Sequence, residues 1–254
     1  MLTEFKGKTA LVTGASRGIG AATAVALARS GVNRVVLHYG SYREGAENAL
    51  QAVRDAGAEG DLIGADLGCM GGIEEFLRQQ REIAPKVDIL INNAGSLVKR
   101  ARLAEFTPDL FDSVISLNVK SLWFITQAAT PHMLENGGGV IVNISSIAAR
   151  HGGGPGATIY AAAKAAVSCI TKGLAKEFAG RNIRVNAVSP GTVDNDFHKQ
   201  FSTPEILAAM TASTPAGRLS TNDDIADVIV FLCSEGSRNI HGQTIEVNGG
   251  MYMV

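Results

Sequence analysis

The chain runs to 254 residues, 46 % hydrophobic and 19 % charged, with a formal net charge of −1. That is the balance of a soluble globule with a sizeable core, and it offers no general attraction to nucleic acid or an anionic membrane, so neither is expected as a partner. MLTEFKGK holds no apolar leader segment and no run of roughly 18 apolar residues follows it. Cys69, Cys169 and Cys233 lack metal-ligand spacing, so no metal site is expected, and reduced, mostly buried thiols in a cytoplasm are.

Taken in order, short apolar runs bounded by turn residues alternate with helical patterns of about a dozen residues. Lys8–Thr13 reads as a buried strand, then Gly14 to Gly20 as a glycine-rich turn, then AATAVALARS as a helix stopped at Gly31. The pattern repeats with Arg34–His38 (strand), Tyr42–Ala56 (helix), Asp61–Ala65 (strand), Gly72–Ile83 (helix) and Val87–Ile91 (strand). Two helices are expected in Thr107–Glu135, a strand at Val140–Ile144, a helix at Thr158–Ala179 and a sixth strand at Ile183–Val188. Asp194–Ala216, with Pro204 and Pro215, reads as an irregular insertion carrying one short helix; Asp223–Ser234 is a helix and Thr244–Val247 a last strand. No linker, repeat or low-complexity segment interrupts the series. The expectation is one α/β domain over residues 1–254, a doubly wound parallel sheet of about seven strands with helices on both faces.

Gly14-Ala-Ser16-Arg17-Gly18-Ile19-Gly20 lies between a strand and a helix, where a phosphate-binding turn belongs. The helix N-terminus offers amides and the positive end of a dipole to a pyrophosphate. The spacing G-x-x-x-G-x-G is neither the usual dinucleotide fingerprint nor a triphosphate loop. An acidic residue at the end of the second strand would bind a ribose 2′-hydroxyl and repel a 2′-phosphate. This chain has His38-Tyr39-Gly40-Ser41 there, with Arg17 and Arg43 available to pair with a phosphate. NADP is therefore expected over NAD, with Tyr39, Ser41 and Arg43 among the contacts.

Tyr160 and Lys164 are four apart near the start of a helix, so they share a face, and Ser145 and Ser146 end the preceding strand. A phenol of pKa roughly 10 is a poor catalyst at neutral pH unless a nearby cation lowers that value. So paired, it can exchange a proton with a carbinol oxygen that a serine hydroxyl also holds. The Tyr–Lys spacing by itself fits a solvated helix face equally well.

Together with Asp66-Leu67, Asn92-Asn93-Ala94-Gly95, Asn118 and Pro190-Gly191, these motifs give the chain its likeness. It resembles the classical short-chain dehydrogenase/reductase family over essentially its whole length. The resemblance implies a Rossmann-type fold, and that Asn118, Ser146, Tyr160 and Lys164 form a catalytic tetrad. Tyr160 would be the acid/base, Lys164 would lower its pKa and bind the nicotinamide ribose, and Asn118 would hold a water linking Lys164 to solvent. It implies that Asp66 holds the adenine amino group, that Leu67, Asn93, Ala94, Gly95, Pro190, Gly191 and Val193 lie along the cofactor, and that the protein is a cytoplasmic homotetramer. The chain looks most like β-ketoacyl-carrier-protein reductases and the related sugar, alcohol and small-ketone dehydrogenases. Asn195 stands where the family usually has a cofactor-touching Thr. Leu134–Gly139 lacks the basic residues that carrier-docking reductases tend to carry, although Arg181 is present, and the loop holding His151 is a residue longer than usual.

The expected activity is NADPH-dependent hydride transfer to a carbonyl, or the reverse from a secondary alcohol, with a small molecule or acyl thioester as substrate. A sugar or small-alcohol dehydrogenase and a non-catalytic NADP-binding sensor are the alternatives. Residues 194–216 are expected to form a lid over the substrate.

Overall fold

The computed structural model describes residues 5–254. Seven strands, β1 (Thr9–Val12), β2 (Arg34–Tyr39), β3 (Glu59–Gly64), β4 (Ile89–Asn92), β5 (Gly139–Ile144), β6 (Ile183–Pro190) and β7 (Thr244–Val247), form a single sheet in the order β3-β2-β1-β4-β5-β6-β7. Every pairing is parallel. Helices α1 (Gly18–Arg29), α2 (Arg43–Asp55) and α3 (Met70–Ile83) link the first four strands; α4 (Pro108–Ile115), α5 (Ser121–Glu135), α6 (Ala148–His151) and α7 (Thr158–Phe178) follow. The last three are α8 (Asp196–Phe201), α9 (Pro204–Ser213) and α10 (Asn222–Cys233).

A parallel sheet must be covered on both faces, and period-2 alternation in the strands sorts the apolar side chains accordingly. Along β1, Ala10 and Val12 join a core with Leu27 of α1, Val53 of α2 and Ile229 of α10. Leu11 points the other way, into a second core with Phe76 of α3, Ile125 of α5 and Leu174 of α7. Burying one such large side chain contributes about 1.5–3 kcal/mol. Between the central strands, Asn92 donates to Asn143 Oδ1 (2.9 Å) and Thr126 Oγ1 (3.0 Å), and Asn143 donates to Thr171 Oγ1 (2.9 Å). This buried chain of amides and hydroxyls pins α5 and α7 to the strand ends just beneath the cleft.

Two segments differ from the sequence expectation. Thr107–Glu135 is one helical rod, in which α4 and α5 are joined by a π-helical turn at Ser116–Lys120. Asn118 Nδ2 takes the Val114 carbonyl (2.8 Å) that its own backbone amide would occupy in an α-helix, and the ladder slips by one residue. Residues 194–216 hold two helices. Asn195 caps α8, Thr203 caps α9 and Pro204 sits in the first turn, where proline is favoured and not a breaker. Among the cysteines, Cys69 and Cys169 are exposed and only Cys233 is buried, which corrects the expectation of mostly buried thiols. No helix among the described residues is long and apolar enough to cross a membrane.

Candidate active site

The sheet order reverses at β1 and β4, which lie side by side although two other strands separate them in the sequence. Ligands of open α/β sheets bind at such a switch point, outside the carboxyl ends of the strands. Here a cleft of about 670 Å³ opens at that edge, within the range of cofactor and substrate sites.

Its floor is locked by one threonine. Thr13 Oγ1 accepts from the backbone amides of Asn93 (2.9 Å) and Ala94 (3.0 Å), while Asn93 Nδ2 donates to the carbonyls of Thr13 (2.8 Å) and Gly14 (3.0 Å). Gly14 adopts φ +64°, and a Cβ there would stand 2.9 Å from Ala94 Cα. Gly20 lies a turn into α1 behind the loop, where any side chain would collide with the Gly14 carbonyl. The Gly14 amide donates to His38 Nδ1 (3.1 Å), and His38 Nε2 bonds the Ala65 carbonyl (2.9 Å). An amide can only donate and a carbonyl only accept, so the neutral imidazole carries its proton on Nε2. Burial pushes its pKa down to about 4, against the opposing pull of the Ala65 carbonyl and the Asp66 charge.

At the cofactor end Ser16, Arg17, Gly18, Ile19, Ser41, Asp66 and Leu67 line the cleft, as do Ala94, Gly95, Pro190, Gly191, Val193 and Asn195 farther along. Tyr39 and Arg43 are not among the residues that line the cleft. Tyr39 lies over Gly64 of β3, and Arg43 pairs with Glu47 one turn along α2 (2.8 Å). Strand alternation explains the first, because His38 and Tyr39 must leave β2 on opposite faces. His38 and Tyr42 line the cleft instead, with the Arg17 guanidinium 5.6 Å from the Tyr42 ring centre.

At the other end, β5 delivers two serines with different duties. Ser145 Oγ is buried, bonded to the Lys164 carbonyl (2.9 Å) and Ser168 Oγ (2.8 Å), and fixes α7 against the strand. Ser146 faces the cleft on the Tyr160 side, its Oγ accepting the Ala148 amide (3.1 Å). Lys164 is buried, donates to the Ile144 carbonyl (2.9 Å) and lies 5.7 Å from the Tyr160 ring centre. A Cβ on Gly95 would stand 2.6 Å from both Lys164 Nζ and Asn118 Oδ1, so the absent side chain leaves the space they share. Asn118 is buried behind the cleft wall; its Nδ2 is held by Ser96 O (2.9 Å) and Val114 O, while its Oδ1 has no partner.

The electrostatics depart from the expectation that Lys164 lowers the Tyr160 pKa. Desolvation dominates and pushes the phenol up to about 12, with the Ser146 hydrogen bond opposing it, and pushes Lys164 down to about 8. Part of the Tyr160 surface still faces the cleft. The protein packed around its hydroxyl nevertheless outweighs a cation 5.7 Å from its ring.

Residues 14–252 match the family model described as "Enoyl-(Acyl carrier protein) reductase". The chain is 38 % identical over 246 residues to the 3-oxoacyl-[acyl-carrier-protein] reductase FabG of Staphylococcus aureus (strain N315), covering 97 % of this chain and 98 % of that one. In solved structures it is similar to an NAD(P)-dependent gluconate 5-dehydrogenase from Beutenbergia cavernae with bound NADP, described as putative (TM-score 0.90, 34 % identity, 99 % of each chain). It is also similar to an NADH-dependent reductase, A1-R′, responsible for alginate metabolism (TM-score 0.85, 35 % identity, 99 % of this chain and 100 % of that one). The chain belongs to the short-chain dehydrogenase/reductase family.

The His38 brace carries a stability prediction. Its folded pKa of about 4 lies below the unfolded 6.5, so its contribution is complete above pH 6.5 and is lost as pH falls through about 4. Imidazole NMR signals of His38 should show the neutral Nε2–H tautomer down to about pH 5. A titration midpoint between pH 6 and 7 would contradict the brace.

Proposed function

We propose that the protein is an NADP(H)-dependent oxidoreductase of the 3-oxoacyl reductase type, moving hydride between the nicotinamide and a carbonyl or secondary-alcohol carbon. The observation that carries this is the meeting of Ser146, Tyr160 and Lys164 at one end of a cleft whose other end is the glycine turn. The 38 % identity to 3-oxoacyl-[acyl-carrier-protein] reductases supports the substrate type. The likeness to a gluconate 5-dehydrogenase favours a polyol or sugar-acid substrate as the second reading.

The cleft suits the cofactor. The helix α1 amides and the turn between Gly14 and Gly18, both glycines without a side chain, would take the pyrophosphate, and Asp66 the adenine. Arg17 and Ser41, with no carboxylate beside them on the strand end, would take a 2′-phosphate. Among the described residues Asp196, at 3.9 Å, is the one carboxylate that Arg17 pairs with, so most of its donors remain for that phosphate. Bound here, the reduced cofactor supplies the hydride. Tyr160 gives its proton to the substrate oxygen, and Ser146 hydrogen-bonds the same oxygen. Lys164 holds the ribose, and the unpartnered Asn118 Oδ1 accepts the water through which the proton is replaced.

A phenol of pKa about 12 is protonated at neutral pH, so the resting site holds the form that carbonyl reduction uses. Tyr160→Phe should lower kcat by about 10²–10⁴-fold while NADPH affinity barely changes, whereas Lys164→Ala should damage both. Reduction uses the protonated phenol and should be flat with respect to this group through the neutral range. Alcohol oxidation uses the phenolate and should rise as pH rises. A Tyr160→Phe enzyme with normal turnover at 340 nm would refute the mechanism.

The cofactor proposal extends to residues 194–216, in which α8 and α9 carry Phe197, His198, Phe201 and Met210 onto the cleft as a lid. A charge-assisted phosphate contact contributes about 1.5–3 kcal/mol, so NADPH should be preferred over NADH by more than tenfold, and Arg17→Ala should erode that preference. NADPH should also slow amide exchange through 194–216; unchanged, slow exchange without cofactor would mean fixed structure.

We also propose a cytoplasmic homotetramer. Two exposed free thiols suit a reducing compartment. Phe111 and Trp123 on α4 and α5, with Met253 and Val254 at the tail, are exposed apolar groups suited to burial between subunits. Light scattering on the purified protein should give four chains per particle, and a monomer would contradict it.

A further inference from the structure

The two ends of the cleft differ in charge. Asp66 and Asp196 are the only carboxylates among the lining residues, and Asp196 faces Arg17 at the glycine loop. The substrate end is lined by Arg100, His151 and His198 with no acid. Arg100 belongs to a loop, Val98-Lys99-Arg100-Ala101-Arg102, in which three of five residues are cationic.

Arg100 is held in place. Its Nε donates to the Phe201 carbonyl (3.0 Å) at the end of α8, and its Nη1 to the Pro155 carbonyl (2.9 Å) in the loop before Tyr160. A guanidinium has five N–H donors, so with two used three remain. Among the described residues no carboxylate lies within ion-pair distance of it. The loop is set by Val98 at φ +62°, a strained conformation for a β-branched residue, with its amide bonded to Ser96 Oγ (3.0 Å). Phe197 bridges the arginine clamp and the reacting end: its ring centre lies 5.1 Å from that of Phe201 and 6.0 Å from that of Tyr160. Next to it, His198 carries a buried Nδ1 with no hydrogen-bond partner. A fixed, unneutralised guanidinium with unused donors on the cleft wall is a site for an oxyanion.

We propose that Arg100 selects substrates bearing an oxyanion, a carboxylate or a phosphate, on the portion held under α8. This rests on the carbonyl-reductase reading and narrows it to anionic carbonyl compounds. A small oxo acid offers such a carboxylate, and a phosphopantetheine thioester offers such a phosphate.

Matched pairs separate these sources: acetoacetate against methyl acetoacetate, and acetoacetyl-phosphopantetheine against acetoacetyl-pantetheine, each followed as NADPH oxidation at 340 nm. In Arg100→Gln, kcat/KM for the charged member of at least one pair should fall at least tenfold further than for its uncharged twin, mainly through KM. Arg100→Lys should recover part of that difference. The first pair responding assigns a carboxylate, the second a phosphate. Equal losses within both pairs would mean that Arg100 only clamps Phe201 and Pro155, and the proposal falls. If the wild type reduces no compound of the panel, the reductase reading is what has failed. Calorimetry with malonate and with inorganic phosphate on the protein plus NADP⁺ then decides: binding weakened at least tenfold in Arg100→Gln sustains the oxyanion site, and no binding, or binding equal in both proteins, overturns it.

Discussion

The hydrogen bonds between Thr13 and the Asn93-Ala94 backbone hold together what the topology would otherwise split. β1 and β4 are neighbours only because the chain, after building β2 and β3 on one side, returns to the other side of β1. At that point the crossovers leave in opposite directions and a crevice opens. Left alone, such a crevice would expose the amides of two strand ends. Thr13 accepts two of them, and Asn93 returns two bonds to the carbonyls of Thr13 and Gly14. His38 adds a third tether from β2. The glycine turn therefore meets the cofactor already shaped, and little ordering cost remains at binding.

Desolvation is the second organising force. Tyr160 is raised, while Lys164, His38 and His198 are lowered, and burial is the first cause in each case. Each shift favours the neutral form. Lys164, lowered only to about 8, stays mostly protonated at neutral pH, so the reacting end pairs a neutral phenol with one buried cation. Burial keeps the Tyr160 phenol protonated at neutral pH, the state in which it can give its proton to a carbonyl oxygen.

Much of this was legible in the sequence, and the failures have physical causes. The strand–turn–helix alternation, the glycine turn and the Tyr160–Lys164 spacing are local patterns, and local patterns survive without coordinates. Composition at a strand end does not say which side chain turns inward, so the places of Tyr39 and Arg43 relative to the cleft could not be read from it. Alternation sends His38 and not Tyr39 toward the glycine loop, and the Arg43–Glu47 pair was visible as an i,i+4 spacing. Pro204 read as a breaker although Thr203 before it is a cap and the first helical turn accepts proline. The π-turn at Asn118 had no signal, since it depends on a side chain outcompeting a backbone amide for one carbonyl. Arg100 was equally silent: its partners, Pro155 and Phe201, lie 55 and 101 residues away.

The dry interior and the charged rim imply different kinds of selectivity. Two unit charges 4 Å apart interact by about 1 kcal/mol in water and about 4 kcal/mol at the effective dielectric near a protein surface. Arg100 is exposed, so its bare field discriminates poorly and salt weakens it further. Geometry has to supply the rest. Two of its donors are fixed on carbonyls from the end of α8 and from the loop before Tyr160, and the plane of the guanidinium is therefore set before any ligand arrives. A preset fork favours a planar, two-oxygen group over a point charge and loses less side-chain entropy in gripping it. Because one of those carbonyls belongs to Phe201 at the end of α8, the fork is oriented only while α8 lies over the cleft. The same position of α8 also sets Phe197 against Tyr160, with the ring centres 6.0 Å apart, so the rim and the reacting end share one helix.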